Sequence, residues 1–148
     1  MAEEKQNSAS GPQKPSMPAS SPGQNGTILL VDDDHFLLDM YSMKFMQKGF
    51  AVEACQSTAD ALTVLRGGLK PAAILFDIVM PGDDGFSFLS RVKEEKLAEG
   101  AKTIALTNQS NDGDKVQAEK LGVDKYVVKA SMIPSEVVTM TMEAIGKK

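Results

Sequence analysis

The chain has little cysteine and no excess of positive charge. Its single cysteine, Cys55, excludes an intramolecular disulfide and argues against a cysteine-based metal cluster. Acidic residues number 20 and basic residues 16, so the formal net charge is -4. Because no basic excess is available to neutralise phosphates, this balance argues against direct binding of nucleic acid through backbone electrostatics.

Long apolar runs are missing as well. No stretch of about 18 consecutive apolar residues occurs, so we expect no membrane insertion. The N-terminus starts Met-Ala-Glu-Glu and lacks the apolar segment of a secretory signal, so a cytoplasmic protein is expected. A length of 148 residues gives room for one domain of ordinary size.

Residues 1–26 differ in composition from the rest. They hold four of the chain's prolines and no aromatic or branched aliphatic side chain. Such a segment cannot bury enough apolar surface to offset about 1–2 kcal/mol of backbone entropy per residue. The sequence therefore predicts a disordered N-terminal tail over 1–26 and one folded domain over 27–148.

Apolar runs and helical spacings alternate from residue 27 onward. Strands are predicted over 27–31, 50–55, 72–76, 103–106 and 126–128. Helices are predicted over 32–48, 58–65, 85–96, 114–121 and 134–145. This order predicts an α/β fold of doubly wound type, in which five helices cover both faces of a five-stranded parallel sheet.

Charged and hydroxyl side chains follow four of these strands. Asp32, Asp33 and Asp34 come after the first strand, and Asp77 after the third. Thr107 follows the fourth strand and Lys129 the fifth. Ligand sites of open parallel sheets lie beyond the carboxyl ends of the strands, so we expect these groups to converge.

Converging carboxylates need a cation, since two of them about 4 Å apart repel by roughly 4 kcal/mol at an effective dielectric near 20. Oxygen ligands in a hydrated site suit Mg²⁺. A carboxylate, a hydroxyl, an ammonium group and a divalent ion together indicate phosphoryl transfer through an aspartyl phosphate.

Four motifs resemble the response-regulator receiver family. They are Ile-Leu-Leu-Val-Asp32-Asp33, then Ile-Leu-Phe-Asp77-Ile-Val-Met-Pro81-Gly-Asp-Asp-Gly85, then Ala-Leu-Thr107, then Ala118-Glu-Lys-Leu-Gly122-Val-Asp-Lys-Tyr126-Val-Val-Lys129. The resemblance covers residues 27 to about 145. It implies a flavodoxin-like sheet with strand order 2-1-3-4-5 and a stand-alone receiver similar to the single-domain chemotaxis regulators.

The resemblance also implies roles for individual residues. Asp77 matches the phosphorylated residue, and Lys129 matches the lysine that pairs with the phosphate. Asp33 matches the direct Mg²⁺ ligand and Asp32 its neighbour acting through water. The metal set, which includes Asp77 itself, is completed by the backbone carbonyl of Val79.

A switch function in a two-component system follows from the same resemblance. Thr107 and Tyr126 match the hydroxyl and the aromatic ring whose coupled shift reports phosphorylation. The implied donor is a sensor histidine kinase or a phosphotransfer protein, and the output surface covers about 114–145, including the fourth helix, fifth strand and fifth helix. The downstream protein target is not specified. The chain is thus expected to be a switch with self-catalysed phosphotransfer and dephosphorylation, more than a metabolic enzyme.

The chain departs from the family after Lys129, where Ala130 replaces the usual proline. A cis bond before a non-proline residue costs about 2.5–4 kcal/mol, so a trans peptide is expected there.

Three other functions are alternatives to this hypothesis. A degenerate receiver would keep the fold without metal or phosphate and act as an interaction module. An aspartyl-phosphate hydrolase of the haloacid-dehalogenase type would need a second aspartate at the position of Val79. A flavodoxin-like FMN binder would need a phosphate-binding loop where Asp32–Asp34 stand.

Several nearby side chains have simpler interpretations. Asp34 is predicted to cap the first helix, and Asp83 and Asp84 to be turn and helix-entry residues. His35 is expected to be exposed and Cys55 to be a small buried hydrophobe. Most of the nine methionines are expected to fill the core.

Overall fold

Strands and helices alternate along the whole domain. The computed structural model describes residues 24–80, 82 and 84–146. The strands are β1 (Thr27–Val31), β2 (Ala51–Cys55), β3 (Ala73–Asp77), β4 (Lys102–Thr107) and β5 (Lys125–Val128). The helices are α1 (His35–Gln47), α2 (Thr58–Arg66), α3 (Gly85–Glu94), α4 (Asp112–Lys120) and α5 (Pro134–Ile145), with a 3₁₀ turn at Lys129–Ser131.

The five strands form one parallel sheet in the order β2-β1-β3-β4-β5. The predicted fold class and strand order are therefore confirmed. The order reverses between β1 and β3, and the crevice at such a point is where ligands bind in open α/β sheets.

Alternate residues of β1 serve two separate cores. Ile28 and Leu30 pack with buried residues of α1 and α5, whereas Leu29 and Val31 pack with buried residues of α2, α3 and α4. This alternation follows from the two-residue repeat of a strand. It requires apolar side chains at every β1 position after Thr27, as in a parallel strand covered on both faces.

Side-chain caps set the starts of two helices that border the strand ends. Asp34 Oδ1 accepts hydrogen bonds from the amides of Phe36 and Leu37, at 3.0 and 3.2 Å. Helix α1 therefore begins at His35, three residues later than the periodicity indicated, and Asp32 and Asp33 stay in the preceding loop. Asp84 Oδ1 caps α3 by accepting from the amide of Ser87 at 2.8 Å. Both capping predictions are confirmed, whereas the one for Asp83 lies outside the described residues.

Most of the predicted N-terminal tail, residues 1–23, lies outside the described residues. Only residues 24–26 of the tail are described. Asn25 donates from its backbone amide to the carbonyl of Gly49 at 2.9 Å, and the amide of Ala51 donates to the carbonyl of Gly26 at 2.9 Å. These bonds tie the chain just before β1 to the start of β2.

Other expectations have mixed outcomes. Cys55 is buried and His35 is exposed, as predicted. The expectation for the methionines is wrong for Met40, Met43 and Met46, which are exposed on α1. Within the described residues, no helix has the length and apolar character needed to cross a membrane.

Candidate functional site

Sheet register brings four of the predicted residues to one edge. Asp77 is the last residue of β3 and lies opposite Leu106, the residue before Thr107. Thr107 ends β4 opposite Val128, the residue before Lys129. Asp32 follows β1 directly, beside the end of β3. The groups that the sequence predicts at strand ends are therefore carried by adjacent strands.

The ammonium group of Lys129 lies between two buried carboxylates. Its Nζ is 2.8 Å from Asp32 Oδ2 and 3.1 Å from Asp77 Oδ2. Asp32 and Asp77 are only 2% and 4% exposed. Because a buried carboxylate needs a partner, this shared cation offsets part of the cost of burying both.

The peptide bond that follows Lys129 is trans, as predicted, since no described residue forms a cis peptide. The chain passes from β5 through the 3₁₀ turn into α5. Alanine at 130 is therefore compatible with placing the Lys129 ammonium against both aspartates.

Backbone amides hold the other oxygen of each carboxylate. Asp32 Oδ1 accepts from the amide of Asp34 at 2.8 Å, and Asp77 Oδ1 accepts from the amide of Val79 at 3.1 Å. Each donor lies two residues after its acceptor, a local turn pattern typical of aspartate. These bonds fix the orientation of both carboxylates relative to Lys129.

Burial and neighbouring charges shift the pKa values of Asp77 and Lys129. Burial raises the pKa of Asp77, and the neighbouring Asp32 raises it further, whereas Lys129 and the Val79 amide lower it. Burial alone would lower the pKa of Lys129, but its contacts with Asp32 and Asp77 raise it overall. Asp77 is thus a carboxylate with increased proton affinity, and Lys129 stays charged at neutral pH.

Asp33 completes an acidic cluster with Asp32 and Asp77. One carboxylate oxygen from each lies within 4.8 Å of the other two. Asp33 is exposed, unlike the two buried aspartates. With Lys129 as the only cation that contacts this cluster within the described residues, three negative charges face one positive charge.

The hydroxyl groups of the two predicted switch residues, Thr107 and Tyr126, form no hydrogen bond with the acidic cluster. Thr107 is buried, and its Oγ1 donates to the carbonyl of Gln109 at 3.0 Å within its own loop. Tyr126 pairs with Ala105 in the sheet and packs on the α2–α3–α4 core, where its hydroxyl is buried without a hydrogen-bond partner. The acidic cluster and Lys129 are thus brought together, whereas neither hydroxyl hydrogen-bonds to that cluster.

Two residues that lie near the site were assigned no role there from the sequence. Gly85, the first residue of α3, lies so close to the carbonyl oxygen of Asp77 and the ring of Phe76 that a Cβ would clash with both. Its amide donates to the carbonyl of Ile78 at 2.8 Å. The glycine itself was a visible signal, but only the fold shows what approaches it.

Tyr41 of α1 is the second residue. Burial raises the pKa of its phenol, the charge of Lys129 lowers it and that of Asp32 raises it. The phenol therefore lies within electrostatic reach of the site from the α1–α5 side of the sheet. The sequence spacing identified Tyr41 as a core residue and gave no sign of this proximity.

Known proteins resemble this chain in sequence and in fold. The family model described as the response regulator receiver domain matches residues 28–140. The phosphate regulon transcriptional regulatory protein PhoB of Pseudomonas aeruginosa is 30% identical over 103 residues, which are 70% of this chain but 44% of PhoB. The chain thus spans less than half the length of that relative.

Solved structures give the same result. A putative response regulator from Chloroflexus aurantiacus is 27% identical with a TM-score of 0.73, and the match covers 86% of this chain and 100% of that one. The chemotaxis protein CheY4 of Vibrio cholerae is 22% identical with a TM-score of 0.73, covering 80% and 97%. At that identity the CheY4 likeness concerns the fold alone.

Proposed function

This chain belongs to the response regulator receiver family, whose domains are phosphorylation-controlled switches of two-component systems, and we propose that Asp77 accepts the phosphoryl group. The receiver unit of this proposal is 27–148. Its donor is a sensor histidine kinase or a phosphotransfer protein, and its output is binding to another protein. A cytoplasmic location belongs to the same proposal.

The contact of Lys129 with Asp77 carries the proposal. An Asp77 oxygen attacks the phosphorus, the bond between phosphorus and the donor's imidazole nitrogen breaks, and its electron pair leaves with the imidazole. Lys129, already 3.1 Å from Asp77 Oδ2, is placed to pair with a phosphoryl oxygen. The reaction needs ionised Asp77, so labelling should fall as the pH drops through its raised pKa.

The donor set fits a hard divalent cation such as Mg²⁺. Three carboxylates within 4.8 Å and one ammonium leave a net charge of minus two before any phosphate arrives. Asp32, Asp33, Asp77 and the carbonyl of Val79 are the groups that would hold the ion. When bound, Mg²⁺ supplies positive charge to the carboxylates and to the phosphoryl oxygens.

Signalling requires that phosphorylation shift a conformational equilibrium. Thr107 now donates to Gln109, and the Tyr126 hydroxyl has no partner, so both side chains can change contacts without breaking a contact to the acidic cluster. We propose that Thr107 turns to a phosphoryl oxygen and that the α4–β5–α5 face responds. Helix α4 suits this role, because Ala118 is its one buried residue.

The alternative functions find less support. A haloacid-dehalogenase-type hydrolase needs a carboxylate two residues after its nucleophile, and Val79 is aliphatic there with 67% of its surface exposed. An FMN phosphate would be repelled by the Asp32, Asp33 and Asp77 carboxylates. A degenerate receiver keeps the fold but cannot be phosphorylated, so phosphorylation of the wild-type protein would exclude it.

The test is incubation of the protein with Mg²⁺ and a small acyl phosphate, followed by intact-mass measurement. Wild type should gain one phosphoryl group, Asp77→Asn should gain none, and chelation of Mg²⁺ should suppress labelling. The matched control is Asp60→Asn, which changes an exposed aspartate on α2. Unlabelled wild type would refute the proposal and favour the degenerate receiver. Equal labelling of Asp77→Asn would refute it as well, because the acceptor would then be another residue.

A further inference from the structure

The outer face of α1 carries an apolar stripe that none of the described residues covers. Phe36 is 78% exposed, Met40 46% and Met43 58%. The side chains that α1 buries lie on its opposite side: Leu38, Tyr41 and Phe45. Large apolar side chains usually face a core, so a row of three on the solvent side of one helix indicates a surface that binds another molecule.

The spacing of the stripe is that of a coiled-coil seam. Phe36, Met40 and Met43 are separated by four and three residues, and Gln47 follows after four more. These are successive d, a, d and a positions of a heptad repeat, the ones that pack against a facing helix. The α1 seam is defined here as these four residues.

Charges flank the α1 seam with opposite signs. In this heptad Asp39 occupies a g position and Lys44 the e position five residues later. In a parallel pair of helices a g residue faces the e residue five places on in the other chain. Asp39 of one copy would thus meet Lys44 of another, twice by symmetry.

Neither charge has a strong partner among the described residues of its own chain. Asp39 lies 3.8 Å from an exposed His35 nitrogen, and Lys44 forms no ion pair with the described residues. Both side chains are exposed and free to turn to a second molecule.

We propose that α1 pairs in parallel with α1 of a second copy of this chain, with the α1 seam at the interface. The seam is three turns long, about 16 Å, so the dimer is weak and forms reversibly as concentration rises. A two-fold axis along α1 places the two Asp77 sites at the same end of the dimer. Helix α4 packs on the opposite face of the sheet from α1 and stays available.

Sedimentation of the whole protein from low micromolar to near-millimolar concentration tests the proposal. Wild type should shift from monomer to dimer, and Met40→Asp should raise the dissociation constant at least about tenfold. Lys120→Asp, an exposed change on α4, is the control and should leave the dimer unchanged.

A charge exchange tests the partner and its direction together. Asp39→Lys alone and Lys44→Asp alone should each weaken self-association, because like charges then meet. An equimolar mixture of the two variants should dimerise again, since each copy supplies the charge that the other lacks. All variants should be phosphorylated by a small acyl phosphate as wild type is, which shows that they fold.

Cross-linking separates the remaining outcomes. A short bis-maleimide should join two copies of Met40→Cys, because Cys55 is buried and Met40 of one copy faces Met40 of the other in a parallel pair. Lys120→Cys should not be joined. A monomer at every concentration, a dimer indifferent to α1 changes, or a seam shielded only while residues 1–23 are present would each overturn the proposal. So would a seam that binds a helical protein of another kind but never a second copy.

Discussion

Replacing Lys129 by methionine should destabilise the fold in a way that depends on pH. The substitution keeps a long apolar stem but removes the ammonium that lies 2.8 Å from Asp32 and 3.1 Å from Asp77. Two buried carboxylates then face each other with only backbone amides as partners. Removing one partner of a buried ion pair typically costs about 3–5 kcal/mol.

The geometry gives a similar magnitude. Carboxylate oxygens of Asp32 and Asp77 lie within 4.8 Å, and unit charges at that distance repel by about 3.5 kcal/mol at an effective dielectric near 20. We therefore expect the free energy of unfolding to fall by about 3 kcal/mol at neutral pH, a loss of roughly 10 °C in melting temperature.

The pH dependence follows from the raised pKa of Asp77. Its folded-state pKa lies above the ordinary value of 3.8, and loss of Lys129 removes one of the effects that lower it. The folded protein then binds a proton more tightly than the unfolded chain does, so stability falls as pH rises through the folded-state pKa. The cost of Lys129→Met should be full at neutral pH and shrink as the pH drops and Asp77 becomes protonated.

Denaturant unfolding with chelator, repeated from neutral to acidic pH, measures this difference. Lys125→Met, an exposed change at the start of β5, is the control and should cost little at any pH. The double variant with Asp77→Asn should recover most of the loss, because one of the two facing charges is gone. A loss equal to that of Lys125→Met, or one that is the same at every pH, would show that Lys129 does not compensate these carboxylates.

Two further substitutions probe the packing around the site. Gly85→Ala should lower the free energy of unfolding by about 3 kcal/mol, because the new Cβ clashes with the Asp77 carbonyl and the Phe76 ring. Gly113→Ala, where a Cβ makes only an ordinary contact, is the control and should cost little. Equal effects of the two changes in denaturant unfolding would contradict this prediction. Tyr126→Phe should raise the free energy of unfolding by about 1 kcal/mol, because it removes a buried hydroxyl that has no hydrogen-bond partner. A loss of stability in the same assay would mean that this hydroxyl is hydrogen-bonded.

The parts of the fold that depend on short-range pattern were predictable. Strand β1 carries apolar side chains on both faces of the sheet, such as Leu29 and Leu30. Helices α1 and α3 begin after capping aspartates. The order and type of the elements therefore followed from residue spacing and local chemistry. The convergence of Asp77 and Lys129 was predictable for the same reason, because parallel strands end at one edge.

Contacts between distant segments were not predictable in the same way. The clash at Gly85 arises from the turn between β3 and α3, and the reach of Tyr41 to Lys129 arises from how α1 packs on the sheet. Nor did spacing show that the hydroxyls of Thr107 and Tyr126 avoid the acidic cluster. The apolar character of the α1 methionines predicts burial in the core, but hydropathy cannot tell an inner face from an outer one when both are apolar.

The charges that destabilise this site are also the ones that its proposed function requires. Asp32 and Asp77 are buried with a single shared cation, and Asp33 adds a third negative charge that Lys129 cannot balance. A fold selected only for stability would replace one of them by a neutral side chain of similar size. A divalent cation would relieve the same repulsion, and transfer of a phosphoryl group to Asp77 would add further negative charge for that cation to offset. Under the proposed function, metal binding, stabilisation of the fold and phosphorylation of Asp77 would be linked through one electrostatic imbalance, so a change that removes the imbalance should stabilise the protein and abolish its labelling together.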